Sequence, residues 1–197
     1  MVRRMSVGFG LVLMAVVITA CSQPVEPVEE AAPVEEMQEL NIMLSPTEGN
    51  TAEGTLSIVA MGNGVHFTGA ISGLAEGEHG FHVHETGDCS APDGTSAGGH
   101  FNPEGVDHGL PGGEGKHLGD LGSIEANAEG LAEVSKHAGG FSMEAGENSI
   151  AGLAVIVHAD PDDGGQPTGN AGARLACGVV PGGTTEPVEE EAPAEEM

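Results

Sequence analysis

Aromatic and basic side chains are scarce in this chain of 197 residues. It contains five Phe, no Trp and no Tyr, and its five Lys and Arg stand against 31 Asp and Glu. Residues 40–183 hold nineteen of the acidic residues and only three of the basic ones, a formal charge of −16. Nucleic acids and anionic lipid head groups both require a basic patch, so neither is an expected partner.

Helical periodicity is absent as well. No stretch of a dozen residues between 40 and 183 repeats apolar side chains every 3.6 positions, so helices are not the framework. Short β-like runs separated by turn residues are present instead: "LNIML", "GTLSIVAM", "VHFTGAISGL", "GFHVHE", "LGDLGSIEA", "LAEVSKHA" and "AGLAVIVHA". Val65, Phe67 and Ile71 share one parity, the period of a half-buried strand, and "MGNGV" signals a hairpin. The pattern predicts an antiparallel β-sandwich or barrel.

Two long stretches, residues 86–120 and 159–176, do not fit strands because they are rich in Gly, Pro and Asp. Loops of this length in a compact domain are usually functional or disordered. The first contains Cys89 and three histidines, and the second approaches Cys177. We therefore expect function where these loops meet the sheet.

The N-terminus has the features of an export signal. Residues 1–20 carry two arginines, then an apolar run too short to span a bilayer, and small residues precede Cys21. The ending "ITAC" resembles a bacterial lipoprotein signal, which implies that Cys21 is lipidated and becomes the first mature residue. A plain signal peptide cut nearby is the alternative. The resemblance predicts a lipid-anchored protein of the bacterial cell envelope, and Ser22 is compatible with the outer membrane, facing the periplasm or the surface.

Acidic, proline-rich segments flank the candidate domain at residues 40–183. Residues 26–37 and 186–197 agree at ten of twelve positions. Such segments have little to bury, so we expect a solvated tether at 21–39 and a disordered tail at 184–197. A cation-concentrating brush or a partner tag is the alternative. The lipid is then the only expected contact with a membrane.

The chain has three cysteines. With Cys21 used by the lipid, Cys89 and Cys177 remain, and an exported protein occupies a compartment where disulfides persist. We predict a Cys89–Cys177 disulfide.

Histidines form the main chemical signal. His82 and His84 in "GFHVHE" are two positions apart, so a strand would place them on one face with Val83 on the other. Alone, such a pair is more often a polar outer face than a metal site. Further candidate ligands follow in one loop and at the end of "AVIVH": His100, His108, His117, Asp120 and His158. Imidazole suits zinc and copper, so this set favours one of these metals.

The candidate ligands divide into two groups. A structural zinc site needs four ligands, and the first loop can supply them as His100, His108, His117 and Asp120. The other three imidazoles, from His82, His84 and His158, are one short of a four-nitrogen site. Because imidazole has two ring nitrogens, one histidine could bridge both sites.

Four stretches, "GFHVHETGD", "SAGGHFNP", "HLGDLG" and "GNAGARLACGV", resemble the signature motifs of copper/zinc superoxide dismutases in order and spacing. The resemblance covers about residues 40–181. It implies an all-β fold, a Greek-key antiparallel β-sandwich or flattened barrel with two long functional loops. It also implies an enzyme that converts superoxide to oxygen and hydrogen peroxide by cycling copper, with a structural zinc. A homodimer is compatible with the sequence, as is a monomer.

The resemblance assigns a role to each candidate residue. It implies copper ligation by His82, His84, His100 and His158, and zinc ligation by His100, His108, His117 and Asp120. His100 would be the bridge and would carry a proton, and Arg174 would guide and bind the anion. Asp162 would link ligands of the two metals, and His79 would be structural. His66 and His137 match no motif, so we expect them on the surface.

One departure from the family concerns charge. Many members carry lysines in the loop before the arginine, whereas "ADPDDGGQPTGNAGA" has three Asp and no Lys. We therefore expect weak steering of the anion, unless Lys116 beside His117 supplies it. The position of Cys89 resembles the bacterial form of the family. The alternative function is a noncatalytic copper- and zinc-binding envelope lipoprotein, although no ligand is missing.

Overall fold

The computed structural model describes residues 39–113 and 115–182. The predicted signal peptide at 1–20, lipidation at Cys21, nearly all of the tether and the tail at 184–197 lie outside the described residues. Within the described ranges, no helix is long and apolar enough to cross a membrane.

Eight strands form the framework of the fold. They are β1 (Glu39–Pro46), β2 (Glu53–Met61), β3 (Gly64–Ser72), β4 (Gly77–His84), β5 (Asp120–Ala126), β6 (Ala132–Gly139), β7 (Ala154–His158) and β8 (Arg174–Val179). All pairings are antiparallel, in the order β1-β2-β3-β6-β5-β4-β7-β8, and β8 returns to β1 to close a barrel. The chain passes from β3 to β4 across the positions of β6 and β5, and from β6 back to β7 beside β4, which is Greek-key connectivity. The predicted all-β fold is confirmed.

The strands alternate between the barrel core and the outside. Val65, Phe67 and Ile71 of β3 are fully buried, while Thr68 and Ala70 face outward, as the period of two predicts. The predicted hairpin joins β2 to β3 through Gly62, whose φ of 58° lies in the left-handed region that glycine adopts readily. Packing inside the barrel thus follows the sequence pattern.

Two predicted boundaries need correction. The sequence predicts residues 174–176 in the second loop, but Arg174 begins β8, because these residues pair with β7 on one side and β1 on the other. Residue Glu39, expected in the tether, pairs with Val59 as the first residue of β1. The second long loop is therefore 159–173.

Three long connections join strands of the barrel. Residues 85–119 join β4 to β5, and the predicted Cys89–Cys177 disulfide, with Cα atoms 5.8 Å apart, ties this loop to β8. A third connection, residues 140–153, places Phe141 and Ile150 in the core. The first and second loops meet over β4 and β7, where the histidines lie.

Candidate metal centre

Strand β4 is buried on both faces at its C-terminal end. Phe81 and Val83 belong to the hydrophobic core, while His82 and His84, on the opposite face, are also fully buried. The register of β4 against β5 shifts between Gly80 and His82, a bulge of the kind that re-aims side chains next to functional sites. The His-x-His pair is therefore not a polar outer face.

Four histidines form the first cluster. His82, His84, His100 and His158 are buried, and each places one ring nitrogen within 4.8 Å of those of the others. The Nε2 atoms of His84 and His158 lie 3.4 Å apart. The first loop holds His100 in place, because its backbone forms a bridge with His84. Three separated segments therefore converge at one point.

The second cluster gathers around one carboxylate oxygen. Asp120 Oδ1 lies 2.7, 3.0 and 3.1 Å from the Nδ1 atoms of His100, His108 and His117. Burial by itself would raise the pKa of Asp120. Hydrogen bonds from the His100 side chain and the Gly109 N–H have the larger effect and hold the pKa of that carboxyl well below its usual range. Three imidazoles and a carboxylate are a donor set that zinc accepts.

Unpartnered nitrogen atoms test whether metals fit these clusters. His82 Nδ1 and His100 Nε2 are buried without a hydrogen-bond partner, and His108 Nδ1 makes no hydrogen bond although it lies 3.0 Å from Asp120 Oδ1. Such atoms are unfavourable unless something satisfies them, and a metal ion accepts the lone pair of a neutral imidazole. Burial also lowers the pKa of His84 to about 2 and that of His158 to about 3, which keeps both rings in the neutral, ligating form. The residues fit two metal ions.

Asp162 joins the two clusters from behind. Its Oδ2 lies 2.9 Å from His82 Nε2, and its Oδ1 lies 2.9 Å from His108 Nε2. Because a carboxylate only accepts, both Nε2 atoms donate, and the Nδ1 atoms are left to face the clusters. Gly169 packs against this carboxylate so closely that any Cβ there would collide with Asp162 Oδ1.

Comparison with known proteins identifies the family. Residues 52–180 match the family model described as copper/zinc superoxide dismutase. The chain belongs to this family. Among solved structures it is similar to one reported as the crystal structure of the clock protein EA4, at 38% sequence identity and a TM-score of 0.66. The match covers 74% of this chain and 94% of that one.

Membership of the copper/zinc superoxide dismutase family names the metals. The family binds copper and zinc, and this chain has one buried group of four histidines and one of three histidines and an aspartate. His100 belongs to both groups. Its Nδ1 faces Asp120, while its Nε2 has no protein partner. The two sites can therefore share a single imidazole.

Arg174 lies beside the first cluster, opposite His158 in the β7–β8 ladder. Its guanidinium donates to the backbone carbonyls of Gly94 and Gly98, both at 2.6 Å. The Gly98 carbonyl also accepts from His84 Nδ1 at 3.0 Å, which ties the arginine to a cluster histidine. Because two hydrogen bonds hold the planar guanidinium, its orientation relative to the first cluster is fixed.

The pocket next to Arg174 contains two carboxylates that sequence reasoning missed. It has a volume of about 350 Å³, and its lining includes Glu48 and Asp93 together with Arg174. Asp93 lies before the short 3-10 turn at Thr95–Ala97, and its carboxylate accepts from the Thr95 N–H and hydroxyl. Neither residue belongs to a motif, so no sequence signal marked them.

The remaining histidines lie outside both clusters. His79 is buried, with its two ring nitrogens 2.8 and 2.9 Å from the carbonyl oxygens of His158 and Ala75. It ties β4 to the end of β7, in keeping with the structural role expected from the resemblance. His66 and His137 lie on the outer face of β3 and β6. The structure therefore separates seven inner histidines from these two.

Proposed function

We propose that this protein is a superoxide dismutase. Copper would be held by His82, His84, His100 and His158, and zinc by His100, His108, His117 and Asp120. The observation that carries the proposal is the His100 ring, which is shared by two complete donor sets beside a fixed arginine. A degenerate relative would be expected to lack one of these groups.

The protein residues have distinct tasks in this reaction. Bound copper supplies the one-electron chemistry by which two superoxide anions and two protons become oxygen and hydrogen peroxide, whereas zinc, which has no redox chemistry, organises the loop. His100 Nε2 is placed to hold one of these protons and to give it to the peroxide product. Asp162 keeps His82 and His108 in the tautomer that presents Nδ1 to the metals.

Arg174 provides the binding group for the anionic substrate. Its guanidinium lies beside the first cluster and has donors beyond those used by the carbonyls of Gly94 and Gly98. A charge-assisted hydrogen bond from it would orient superoxide toward the copper position.

Replacement of His158 tests the proposal. The full chain, loaded with copper and zinc, should consume superoxide in a stopped-flow assay, and His158→Ala should lose most of this activity because one ligand of the copper position is gone. Thr68→Ala, on the outer face of β3, should behave as the parent protein. Equal rates for the parent and His158→Ala would refute the assignment of the copper position.

A noncatalytic copper- and zinc-binding envelope protein is the second candidate. It is favoured by the similarity to a structure named for a clock protein rather than for an enzyme. Metal analysis of the same samples distinguishes the two functions. Stoichiometric copper and zinc with no superoxide consumption in the parent protein would support the second candidate.

A further inference from the structure

One unpartnered nitrogen lies outside the metal centre. Four buried side-chain nitrogen or oxygen atoms of the described residues lack a hydrogen-bond partner, and three of them belong to His82, His100 and His108. The fourth is Nδ1 of His66, on the outer side of the barrel. The feature that indicates metals at the centre therefore recurs once elsewhere.

A second histidine lies directly across from His66. His66 of β3 and His137 of β6 are partners in the antiparallel ladder, so their side chains are neighbours on one face. Their rings are stacked, with centroids 6.5 Å apart and planes inclined by 25°. The stacked, tilted and T-shaped ring pairs within a cluster of the metal centre have centroid separations of 4.1 to 6.2 Å. The His66–His137 separation lies just above that range.

The neighbours of the two rings select the free nitrogen of each. His137 Nε2 lies 3.4 Å from Asn63 Oδ1, and because an amide oxygen only accepts, this nitrogen carries the proton. His66 Nε2 lies 3.2 Å from the Ser135 hydroxyl, which can accept from it; in the tautomer that donates to this oxygen, Nδ1 is unprotonated. Both rings then present a Nδ1 lone pair, the state required of a metal ligand.

The net charge of the domain favours a cation, although Lys116 and Lys136 line the same pocket as His137. Lys136, the neighbour of His137 in sequence, is half-buried and donates to the Leu121 carbonyl at 3.1 Å, so its ammonium group is engaged elsewhere. The surrounding domain carries a formal charge of −16 over residues 40–183. Its field raises the local concentration of metal cations.

We propose that His66 and His137 form a surface site for a divalent transition-metal ion, separate from the metal centre. Imidazole pairs suit Cu²⁺ and Zn²⁺, and Cu²⁺ is bound more tightly by a given nitrogen site. Ser135 and Asn63 orient the rings through their Nε2 atoms, as outer hydrogen-bond partners commonly do for metal-bound histidines.

Calorimetric titration with Cu²⁺ tests the site in the full chain already loaded with copper and zinc. The parent protein should bind one further equivalent of Cu²⁺ that His66→Asn and His137→Asn both lack. Ser135→Ala should retain the site with about tenfold weaker binding. His158→Ala should retain it unchanged, so failure of the proposed function leaves this result interpretable.

Glu133→Gln is the matched control for charge. Glu133 is exposed and lies on the same strand and the same face as His137, four positions away. This variant should bind the further Cu²⁺ as the parent does. The proposal is wrong if both histidine variants bind it as tightly as the parent, or if Glu133→Gln weakens it as much as they do, since the second result would indicate diffuse attraction by acidic groups.

Discussion

At the scale of single residues, His100 and Arg174 have the most constrained surroundings. The Nδ1 atom of His100 lies 2.7 Å from Asp120 Oδ1, while its Nε2 belongs to the other cluster and has no partner. The Arg174 guanidinium is held by two loop carbonyls, one of which it shares with His84. The position of His100 therefore depends on Asp120, and the position of Arg174 depends on the first loop and on the carbonyl that it shares with His84.

Substitution of Arg174 should lower the rate without removing the metals. We expect Arg174→Ala to reduce kcat/KM by about thirtyfold, because a charge-assisted hydrogen bond to the anion contributes about 2 kcal/mol. The kcat/KM of Arg174→Lys should lie between those of the parent and Arg174→Ala, since an ammonium group keeps the charge but lacks the planar fork that reaches both carbonyls. Stopped-flow rates with metal analysis check this. An unchanged rate in Arg174→Ala would show that the substrate does not use this group.

The metal-free protein should lose stability in acid. Burial lowers the pKa of His84 to about 2 and that of His158 to about 3, against an ordinary value of 6.5. The unfolded chain therefore binds more protons below pH 6.5, so the free energy of unfolding falls as the pH drops from 6.5 toward 3 and is flat above 6.5. Asp162, whose pKa is lowered to about 2 because its hydrogen bonds with His82 and His108 outweigh burial, adds to the loss below about pH 4.

Urea unfolding of the metal-free protein measures this effect. Between pH 7.5 and pH 5 the free energy of unfolding should fall. Below pH 6 its slope should reach up to about 1.4 kcal/mol per pH unit for each buried histidine. His158→Gln should have a shallower slope than the parent because one such group is absent. A constant free energy of unfolding over this interval would contradict the prediction.

At the scale of elements, the first long loop is the part that both clusters and the arginine share. Residues 85–119 contain His100, His108 and His117 and supply the Gly94 and Gly98 carbonyls that hold Arg174. The Cys89–Cys177 disulfide attaches this loop to β8, three positions after the arginine. Loop position and arginine position are therefore coupled through one covalent link.

Removal of the disulfide should affect both stability and rate. We expect Cys89→Ala with Cys177→Ala to lower the free energy of unfolding by about 2–5 kcal/mol, because the link closes a long loop in the unfolded chain. Superoxide consumption should fall as well, since the carbonyls that hold Arg174 lose their attachment to β8. Denaturant unfolding and stopped-flow rates measure the two effects. A double variant with parental values in both assays would rule out this coupling.

At the scale of the whole molecule, the acidic surface opposes the approach of an anion. Asp160 and Asp163 are exposed in the loop before Arg174, and Glu48 and Asp93 line its pocket. Lys116 is not free to move toward an approaching anion, because its ammonium group donates to the carbonyls of His117 and Asp120, each at 3.0 Å. We therefore expect the electrostatic field near the first cluster to attract an anion only weakly, or to repel it.

The rate should accordingly depend little on salt, or rise with it, because added ions screen the repulsion. Glu48→Gln with Asp93→Asn should raise kcat/KM at low ionic strength and reverse the salt dependence. Glu129→Gln with Glu133→Gln removes the same two charges at exposed positions away from the pocket, so it is the control for net charge and should have a smaller effect. Stopped-flow rates at constant pH over a range of salt test this. A steep fall of the parent rate with salt would mean that a cation steers the anion after all.

The sequence by itself determined seven of the eight strands, β1 to β7, and the membership of the clusters. Alternation in "VHFTGAISGL" predicts which face of β3 is buried, because a strand with one buried face needs apolar side chains at every second position. Motif resemblance predicts the seven inner histidines, Asp120, Asp162 and Arg174 by type and spacing. Both kinds of information are local in the chain, and the disulfide follows from a count of cysteines.

Only the tertiary structure decided which distant groups meet. Glu48 and Asp93 lie beside Arg174, Gly98 serves both Arg174 and His84, and β8 closes the barrel where a loop was expected. His66 and His137 match no motif, yet the β3–β6 ladder makes them neighbours. Pairings between strands and loops far apart in sequence depend on how the barrel closes around its core, and no local period or spacing records that closure.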